Sequence, residues 1–563
     1  MNFLLQIRKK IDNIEMAYKN FKVSNKEISI DYHFDGRKPS DSFCKSNSDY
    51  IILVIGVLFE DEKIQNREDY YFFKIIEMYK KHDADFPNFL RGCFCGFIYD
   101  VKKMTTIVFT DHSSCRRVFY FENDKYLYFS SDISKLRSFT KFDENNLTID
   151  INGSKMLLQN GYMLGDTTII KNVKKLLPGT SVKYKAAKKA FNVFYDLNFL
   201  PPCDMVYSDA IDEMEKFFSR AVRREFNRDL LDQKSHLITL SGGLDSRATR
   251  IISKDLGYNK VTNITMSQSG YLDYTIALDI SNRLNDDFIF FSLDNGKFLY
   301  NDILQSCKNN GGTALYNGNA HIDYMIDNIN SEQFGILHTG MIGDVVAGGS
   351  YITTDRIDFS KGLYSTIKGF CDFDVNTDYI NYSSQEMNLL YNRGINGAFN
   401  GLYSTQRTME AYSPFIDPDF MYFMFSLPRD YVKDSKIYID WMKKYHRTML
   451  DFKWEKTSLR PSANKNIVFC SRIYKAIYRR VFKHNKKSMN PYDYWFKNKL
   501  EFKKEIEYEY NKAYTVLVEN EELKTVLNEL NKRDKTINKL LVISLYYSLL
   551  NLDLFYSKDV ENV

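Results

Sequence analysis

Proline is scarce, 10 in 563 residues, which excludes long polyproline or disordered spacers as a major part of the chain. Cysteine is thinly spread. The eight thiols, at Cys44, Cys93, Cys95, Cys115, Cys203, Cys307, Cys371 and Cys470, include no CxxC pair and no accompanying histidine cluster. Neither a zinc site nor a disulfide framework is expected from them. Long apolar runs are missing too. The longest late one, residues 540–550, falls short of the ~20 residues a membrane span needs. The first twenty residues place their basic side chains after a short apolar stretch, the reverse of a secretory signal. The expectation is a cytoplasmic chain with no transmembrane segment. An excess of charge of one sign is also lacking: 77 basic against 72 acidic residues leave +5, too little to imply nucleic acid as a partner. Nor is there a Gly-Lys-Ser/Thr phosphate loop, so γ-phosphate transfer of the Walker kind is not indicated.

What is present is the balance of a soluble globular protein, 44% hydrophobic and 26% charged, on a chain long enough for two or three domains. Up to about residue 196, short runs of β-branched and aromatic residues at 50–59, 96–99, 105–110 and 126–130 are separated by turn signals such as Asn123-Asp124 and Pro178-Gly179. They predict an antiparallel β domain. The pattern then changes. Ile211, Met214, Phe217, Phe218, Ala221 and Val222 fall at helical spacing within 208–226. Strands are predicted at 236–240, 261–266 and 288–293, with helices between them at 249–256, ending at Gly257, and 274–284. Alternation of this kind predicts an α/β fold with a doubly wound parallel sheet, which binds ligands beyond the carboxyl ends of its strands. Helices dominate from about residue 360. Pro201-Pro202 suits a rigid linker, giving predicted units of 1–200, 201–460 and a helical, basic 461–563.

The strongest motif follows the first of these strands: Leu240-Ser241-Gly242-Gly243-Leu244-Asp245-Ser246. Paired glycines let backbone N–H groups converge on one point, the following helix aims its positive end there, and two hydroxyls stand beside it. Asp245 supplies the hard oxygen that Mg²⁺ takes next to phosphate. Arg247, in the first helical turn, is an odd choice for the helix dipole unless an anion lies near it.

Residues 241–246 read SGGLDS, which resembles the signature of N-type ATP pyrophosphatases as found in the asparagine synthetase family. The resemblance implies an adenine nucleotide α-hydrolase-like domain that splits ATP to AMP and pyrophosphate while activating a carboxylate. Residues 338–351, HTGMIGDVVAGGSY, are similar to the family's second phosphate and metal segment. They imply that Asp344 shares Mg²⁺ with Asp245 and that Thr339 and Gly340 lie against the nucleotide. Leu240, Thr265 and Met266 match the positions that hold adenine, with a core role for Met266 as the plain alternative. Residues 411–417 and 426–428 resemble two further family segments. Lys433 or Lys436 falls near its Gly-Lys segment, without the glycine. Lys456, in Trp454-Glu455-Lys456, matches the lysine that stabilises charge on the adenylate and leaving pyrophosphate, a catalytic role, against the alternative of a solvated surface lysine.

The amino-terminal half resembles the family's glutaminase at residues 94–100, 110–120, 129–133, 165–169 and 177–180, which implies an Ntn-hydrolase-like β-sandwich. Two departures stand out. The family's glutaminase uses an amino-terminal Cys, whereas this sequence begins Met1-Asn2-Phe3 and the Asn-Gly oxyanion segment is replaced by Gly56-Val57-Leu58-Phe59. Loss of glutamine hydrolysis is therefore expected. Met341 replaces a glutamate that assists the nitrogen nucleophile, and a thioether takes no proton. Related β-lactam synthetases and lasso-peptide cyclases also lack the terminal Cys and use a substrate's own amine. The expected function is thus ATP- and Mg²⁺-dependent amide formation on a small-molecule or peptide carboxylate, with ammonia, a partner's ammonia or an amine as nucleophile. A specialised substrate (a peptide, a β-amino acid or an acidic sugar) and a non-catalytic nucleotide-binding regulator stay open, as does a homodimer. Late in the chain, Arg472, Lys475, Arg479, Arg480, Lys483, Lys486 and Lys487 form a basic run, read as a solvated helix face or an anion-attracting surface. The aromatic cluster at 490–496 either anchors the tail or lines an acceptor site.

Overall fold

A computed structural model describes residues 2–8, 28–33, 41–62, 64–140, 148–362, 364, 366–367, 370, 372–375, 381–463, 467, 473 and 488–554. The predicted basic run at 472–487 and the thiols Cys371 and Cys470 lie outside the described residues.

Two antiparallel sheets come first. Strands β1 (Asn2–Arg8), β2 (Ile28–His33), β7 (Phe119–Glu122), β8 (Tyr126–Ser130) and β9 (Lys174–Lys175) form one, ordered β2-β1-β8-β7-β9. Strands β3 (Phe43–Ser46), β4 (Tyr50–Leu58), β5 (Gly92–Asp100), β6 (Thr105–Thr110), β10 (Thr180–Lys185) and β11 (Lys188–Val193) form the other, ordered β11-β10-β6-β5-β4-β3. The two-residue period of a strand sends Phe3, Leu5 and Ile7 into a core shared with Leu53, Phe97 and Val108 of the facing sheet. The intervening Leu4 points the other way, into a second core. The outer face of the six-stranded sheet is covered by the helix Arg67–His82, through Phe72, Ile75 and Ile76 against Ile52, Phe94 and Ile98.

The expected strands at 50–59, 105–110 and 126–130 are found with the ends Tyr50–Leu58, Thr105–Thr110 and Tyr126–Ser130. Asn123 turns β7 into β8, its amide bonding Tyr126 O at 3.0 Å. Pro178-Gly179 does not close a hairpin: Gly179, at φ 63°, makes the bend that leads from β9 into β10. Strand β1 was not foreseen from the pattern. Leu4 is buried on the face opposite Phe3, Leu5 and Ile7, so the apolar run Phe3-Leu4-Leu5 breaks the alternation that marks a half-exposed strand.

The third sheet is parallel throughout. Strands β12 (Ser235–Thr239), β13 (Val261–Ser267), β14 (Asp287–Ser292), β15 (Phe334–His338) and β16 (Ala411–Tyr412) take the order β14-β13-β12-β15-β16. The chain thus builds outward from β12 in one direction and resumes at β15 in the other, which makes the gap between the ends of β12 and β15 the topological switch point. The helices Tyr207–Leu231, Leu244–Asp255 and Leu272–Leu284 match the predicted ones, with the second starting five residues earlier than its periodicity indicated. Gly257, at φ 96°, ends the second helix: its amide bonds Lys254 O at 2.8 Å and that of Tyr258 bonds Ser253 O at 3.0 Å.

Three late helices, Leu500–Leu517, Glu521–Lys532 and Thr536–Asn551, pack into the second core with residues of both preceding regions, among them Leu157, Ile169, Ile303 and Tyr316. The last is apolar on all sides because it is surrounded: Leu540, Leu541, Ile543, Leu545 and Leu549 are all fully buried. The aromatic cluster anchors. Trp495, 1% exposed, lies against Gly296 and Phe502, and Asn317 Nδ2 donates to the Tyr492 hydroxyl at 3.1 Å.

Candidate functional site

Two glycine-rich turns meet at the switch point. The first leaves β12 at Thr239 and enters the helix at Leu244; the second leaves β15 at His338 and enters the short helix Gly343–Val346. They touch backbone to backbone. A Cβ on Gly340 would collide with the Ser246 nitrogen and the Asp245 carbonyl carbon and stand 2.8 Å from Ser246 Cα; a Cβ on Gly343 would stand 2.6 Å from Asp245 Cγ. Gly340 is therefore the hinge of contact between the loops, and Gly343 leaves room for the Asp245 carboxylate.

Asp245 and Asp344 are brought together. Burial, and then the charge of Asp344, push the Asp245 carboxyl up to about 8, although the Tyr438 hydroxyl and the Asp344 backbone N–H both support its ionised form. Tyr438 donates to Asp245 Oδ1 at 3.2 Å. Asp344 is exposed at the mouth and Asp245 half-buried behind it. Two carboxylates near enough for the Asp344 charge to raise Asp245, beside two glycine-rich loops, offer the hard oxygens that a divalent cation of the Mg²⁺ kind takes. Lys456 is exposed, with Nζ 5.5 Å from the centre of the Trp454 ring, and its charge is felt at Asp245.

The backbone donors of the first turn are engaged by side chains. Ser241 N donates to Ser246 Oγ at 3.0 Å, Gly243 N to Ser241 Oγ at 3.2 Å, and Gly242 N to Asp273 Oδ1 at 2.8 Å. This corrects the expectation of an open cradle: buried N–H groups take whatever acceptor is in reach, and Asp273 is in reach because it opens the helix Leu272–Leu284. Burial pushes the Asp273 carboxyl up to about 6 despite that bond. Glu455 closes the other side. Its amide bonds Gly242 O at 3.1 Å and its Oε1 accepts from Tyr271 at 2.7 Å.

Arg247 is a second correction. It does not face an anion; it is buried and donates to Met449 O (2.8 Å), Lys453 O (2.5 Å) and Gly242 O (3.3 Å). Burial brings its pKa down to about 10. Its work is to tie the segment that carries Lys456 to the first turn. Around the expected adenine position, Leu240 N bonds Ile264 O at 2.9 Å, Thr265 Oγ1 donates to Leu240 O at 2.6 Å, and Met266 is half-buried between two cores. Thr339 bonds Tyr412 O through its amide at 2.8 Å and its hydroxyl at 3.0 Å, joining the second loop to β16. Met341 is partly buried, its carbonyl accepting from Ser413 Oγ at 3.1 Å. Lys436 lies over the Tyr207 ring at 4.5 Å, while Lys433 is exposed.

Sequence reading missed Asp273, Tyr438 and Glu455. An acid in a helix's first turn reads as a dipole complement, and nothing local marks Tyr438, which reaches the site from a later helix. Below the site, His338 joins Asp229 and Glu225, each at 2.6 Å, and His236 joins Asp229 at 2.7 Å. All four side chains are buried and mutually bonded, a lock between the helix Tyr207–Leu231 and strands β12 and β15.

In the antiparallel half, Cys93, Cys95 and Cys115 are fully buried. Burial raises the Cys93 thiol well above its usual range, Cys95 to about 12 and Cys115 to about 11. Cys44, half-buried, is pushed up to about 11 by burial and Glu68. Among the described residues none of these is poised as a thiolate. Asn2 opens β1, its Nδ2 donating to Asp132 at 3.1 Å. The two halves are pinned by a buried ion pair, Arg116 with Glu410.

No helix among the described residues is long and apolar enough to cross a membrane. No curated protein matches the chain. Among the solved structures distantly similar to the chain are two examples. One is titled the allosteric regulatory enzyme of purine biosynthesis, at 8% identity and a TM-score of 0.20, with 45% of this chain and 63% of that chain covered; the chain thus spans less than two thirds of it. The other is the glutamine phosphoribosylpyrophosphate amidotransferase of B. subtilis complexed with ADP and GMP, at 9% identity and a TM-score of 0.20, with 48% and 77% covered. Residues 61–195 match the family of glutamine amidotransferase domains.

Proposed function

We propose that the chain is an ATP-dependent carbon–nitrogen ligase of the asparagine synthetase type. The observation that carries this reading is the meeting of two glycine-rich loops at the switch point of a parallel sheet, with Asp245 and Asp344 side by side. In this reading a carboxylate oxygen attacks the α-phosphorus of ATP, the bond to the β-phosphate oxygen breaks, and pyrophosphate leaves with the electron pair. An amine or ammonia then attacks the acyl carbon, AMP departs, and a proton passes to solvent. Mg²⁺, held by Asp245 and Asp344, would supply charge neutralisation for the phosphates. Lys456 meets the charge that grows on the leaving group. Asp273 releases the Gly242 amide to a phosphate oxygen, an exchange eased by a carboxyl that already sits near pH 6.

The domain of the glutamine amidotransferase kind serves here as a partner layer and not as a source of ammonia, because Cys93, Cys95 and Cys115 are buried and burial raises these thiols and that of half-buried Cys44. A nucleotide-binding regulator is the second reading, favoured by the hold of Asp273 on Gly242. The two separate by carboxylate-dependent exchange of labelled pyrophosphate into ATP. Exchange with any acid supports the ligase. Nucleotide binding without exchange across a broad panel of acids removes it.

A further inference from the structure

Beside Asp344 opens a cavity of about 310 Å³, bounded by the turn after Gly349 and by the helical segment Leu389–Ala398. Its chemistry is uneven. Arg393 projects from that segment with its guanidinium 5.4 Å from the Tyr351 ring. Its Nε is buried with no hydrogen-bond partner, and among the described residues no carboxylate pairs with it. Arg393 lines the cavity without a carboxylate partner among the described residues, and its planar fork matches a carboxylate through two parallel hydrogen bonds.

The carboxylates in the wall are already committed. Asp355 pairs with Lys361 at 2.7 Å, and Asp344 faces Asp245. An ammonium would have to displace Lys361 from Asp355. The remaining polar wall comprises Ser350, Thr353, Gln385 and the Asp355–Lys361 pair, groups that accept from and donate to hydroxyl groups. Resting on the ligase reading and refining it, we propose that this cavity seats the acid to be activated, that the acid is polyhydroxylated and carries no amino group, as a sugar acid does, and that Arg393 holds its carboxylate next to the Asp344 position. The volume suits one sugar unit, at the small end of ligand pockets. A residue on Leu389–Ala398 thereby sets specificity.

The test is titration calorimetry on the full chain, with D-glucuronate, D-galacturonate and D-gluconate against D-glucose, L-aspartate and glutarate, without nucleotide. The hydroxylated acids bind, and glucose, aspartate and glutarate bind at least ~10-fold more weakly. Arg393→Met weakens the hydroxylated acids by about 10- to 100-fold, with Arg393→Lys in between. Ala398→Phe, which adds bulk to the cavity wall and keeps the Arg393 side chain, has the same effect should Arg393→Met fold poorly. Equal binding by the variants, tighter binding of aspartate, or no binding of any hydroxylated acid overturns the proposal. ATP binding, measured separately without acid, reports on the ligase reading: acid binding with no ATP binding sinks that reading and leaves the cavity assignment standing.

Discussion

Gly340→Ala is the sharpest perturbation of the site because it changes one methyl group and no charge. The added Cβ would stand 2.8 Å from Ser246 Cα, against 3.4 Å for an ordinary contact, and closer still to two other backbone atoms of the first loop. Those atoms belong to the start of a helix packed on the sheet, so they cannot swing aside as a side-chain tip would. The loops must part by about 1 Å, a displacement that costs an aligned site on the order of 10²-fold. Overpacking of this size destabilises by about 1–3 kcal/mol, so the folded state survives in a domain of ordinary stability. Binding of ATP with Mg²⁺, followed by calorimetry, should weaken by roughly 100-fold, while denaturant unfolding shifts modestly. Gly257→Ala is the control: at φ 96° with open space around it, it strains the backbone far from the loops and should leave nucleotide affinity unchanged. Wild-type affinity in Gly340→Ala would refute the idea that the two loops act as one binding surface.

Three further outcomes follow from single interactions. Glu410→Ala strips the partner from Arg116, both residues being under 5% exposed, and should cost about 3–5 kcal/mol in denaturant unfolding; a cost below 1 kcal/mol contradicts the pinning role. Asp273→Asn keeps an acceptor for the Gly242 amide but removes the charge that competes with phosphate, so ATP should bind about 3- to 10-fold more tightly; weaker binding would place Asp273 among the groups that favour the nucleotide. His446 sits between Asp255 and Glu215, at 2.9 and 2.8 Å. Burial lowers its affinity for a proton, but the two carboxylates outweigh this and raise its pKa to about 9. Its folded value exceeds the ordinary 6.5, so its contribution to stability is complete below pH 6.5 and is lost as pH rises through 9. Unfolding measured from pH 6 to 10 should show that loss in the wild type and a flatter profile in His446→Gln.

Much of the fold was readable because its elements advertise themselves. Strands β12, β13 and β14 are compact apolar runs, and Gly257 marks a helix end by needing a positive φ. The loop at 240–246 was legible for the same reason, since paired glycines followed by Asp and Ser have few uses between a strand and a helix. Other features lie beyond local pattern. β1 hides because Leu4 is buried on its second face and breaks the alternation. Asp273 and Tyr438 enter the site from helices that begin 27 and 191 residues after Asp245 in the chain, and only the parallel topology brings them back. Arg247 was misjudged because its position in a first turn suggested an anion, whereas the carbonyls of Met449 and Lys453 in a distant segment and of Gly242 in its own turn supply its partners.

The central claim is that Asp245 and Asp344 hold a divalent cation under nucleotide phosphates at the switch point. Calorimetric titration of ATP into the full chain with Mg²⁺, with the ion chelated, and into Asp245→Asn tests it directly. Binding with Mg²⁺ that fades on chelation and in Asp245→Asn is the predicted result; binding indifferent to the ion and to the substitution, or none at all, contradicts it.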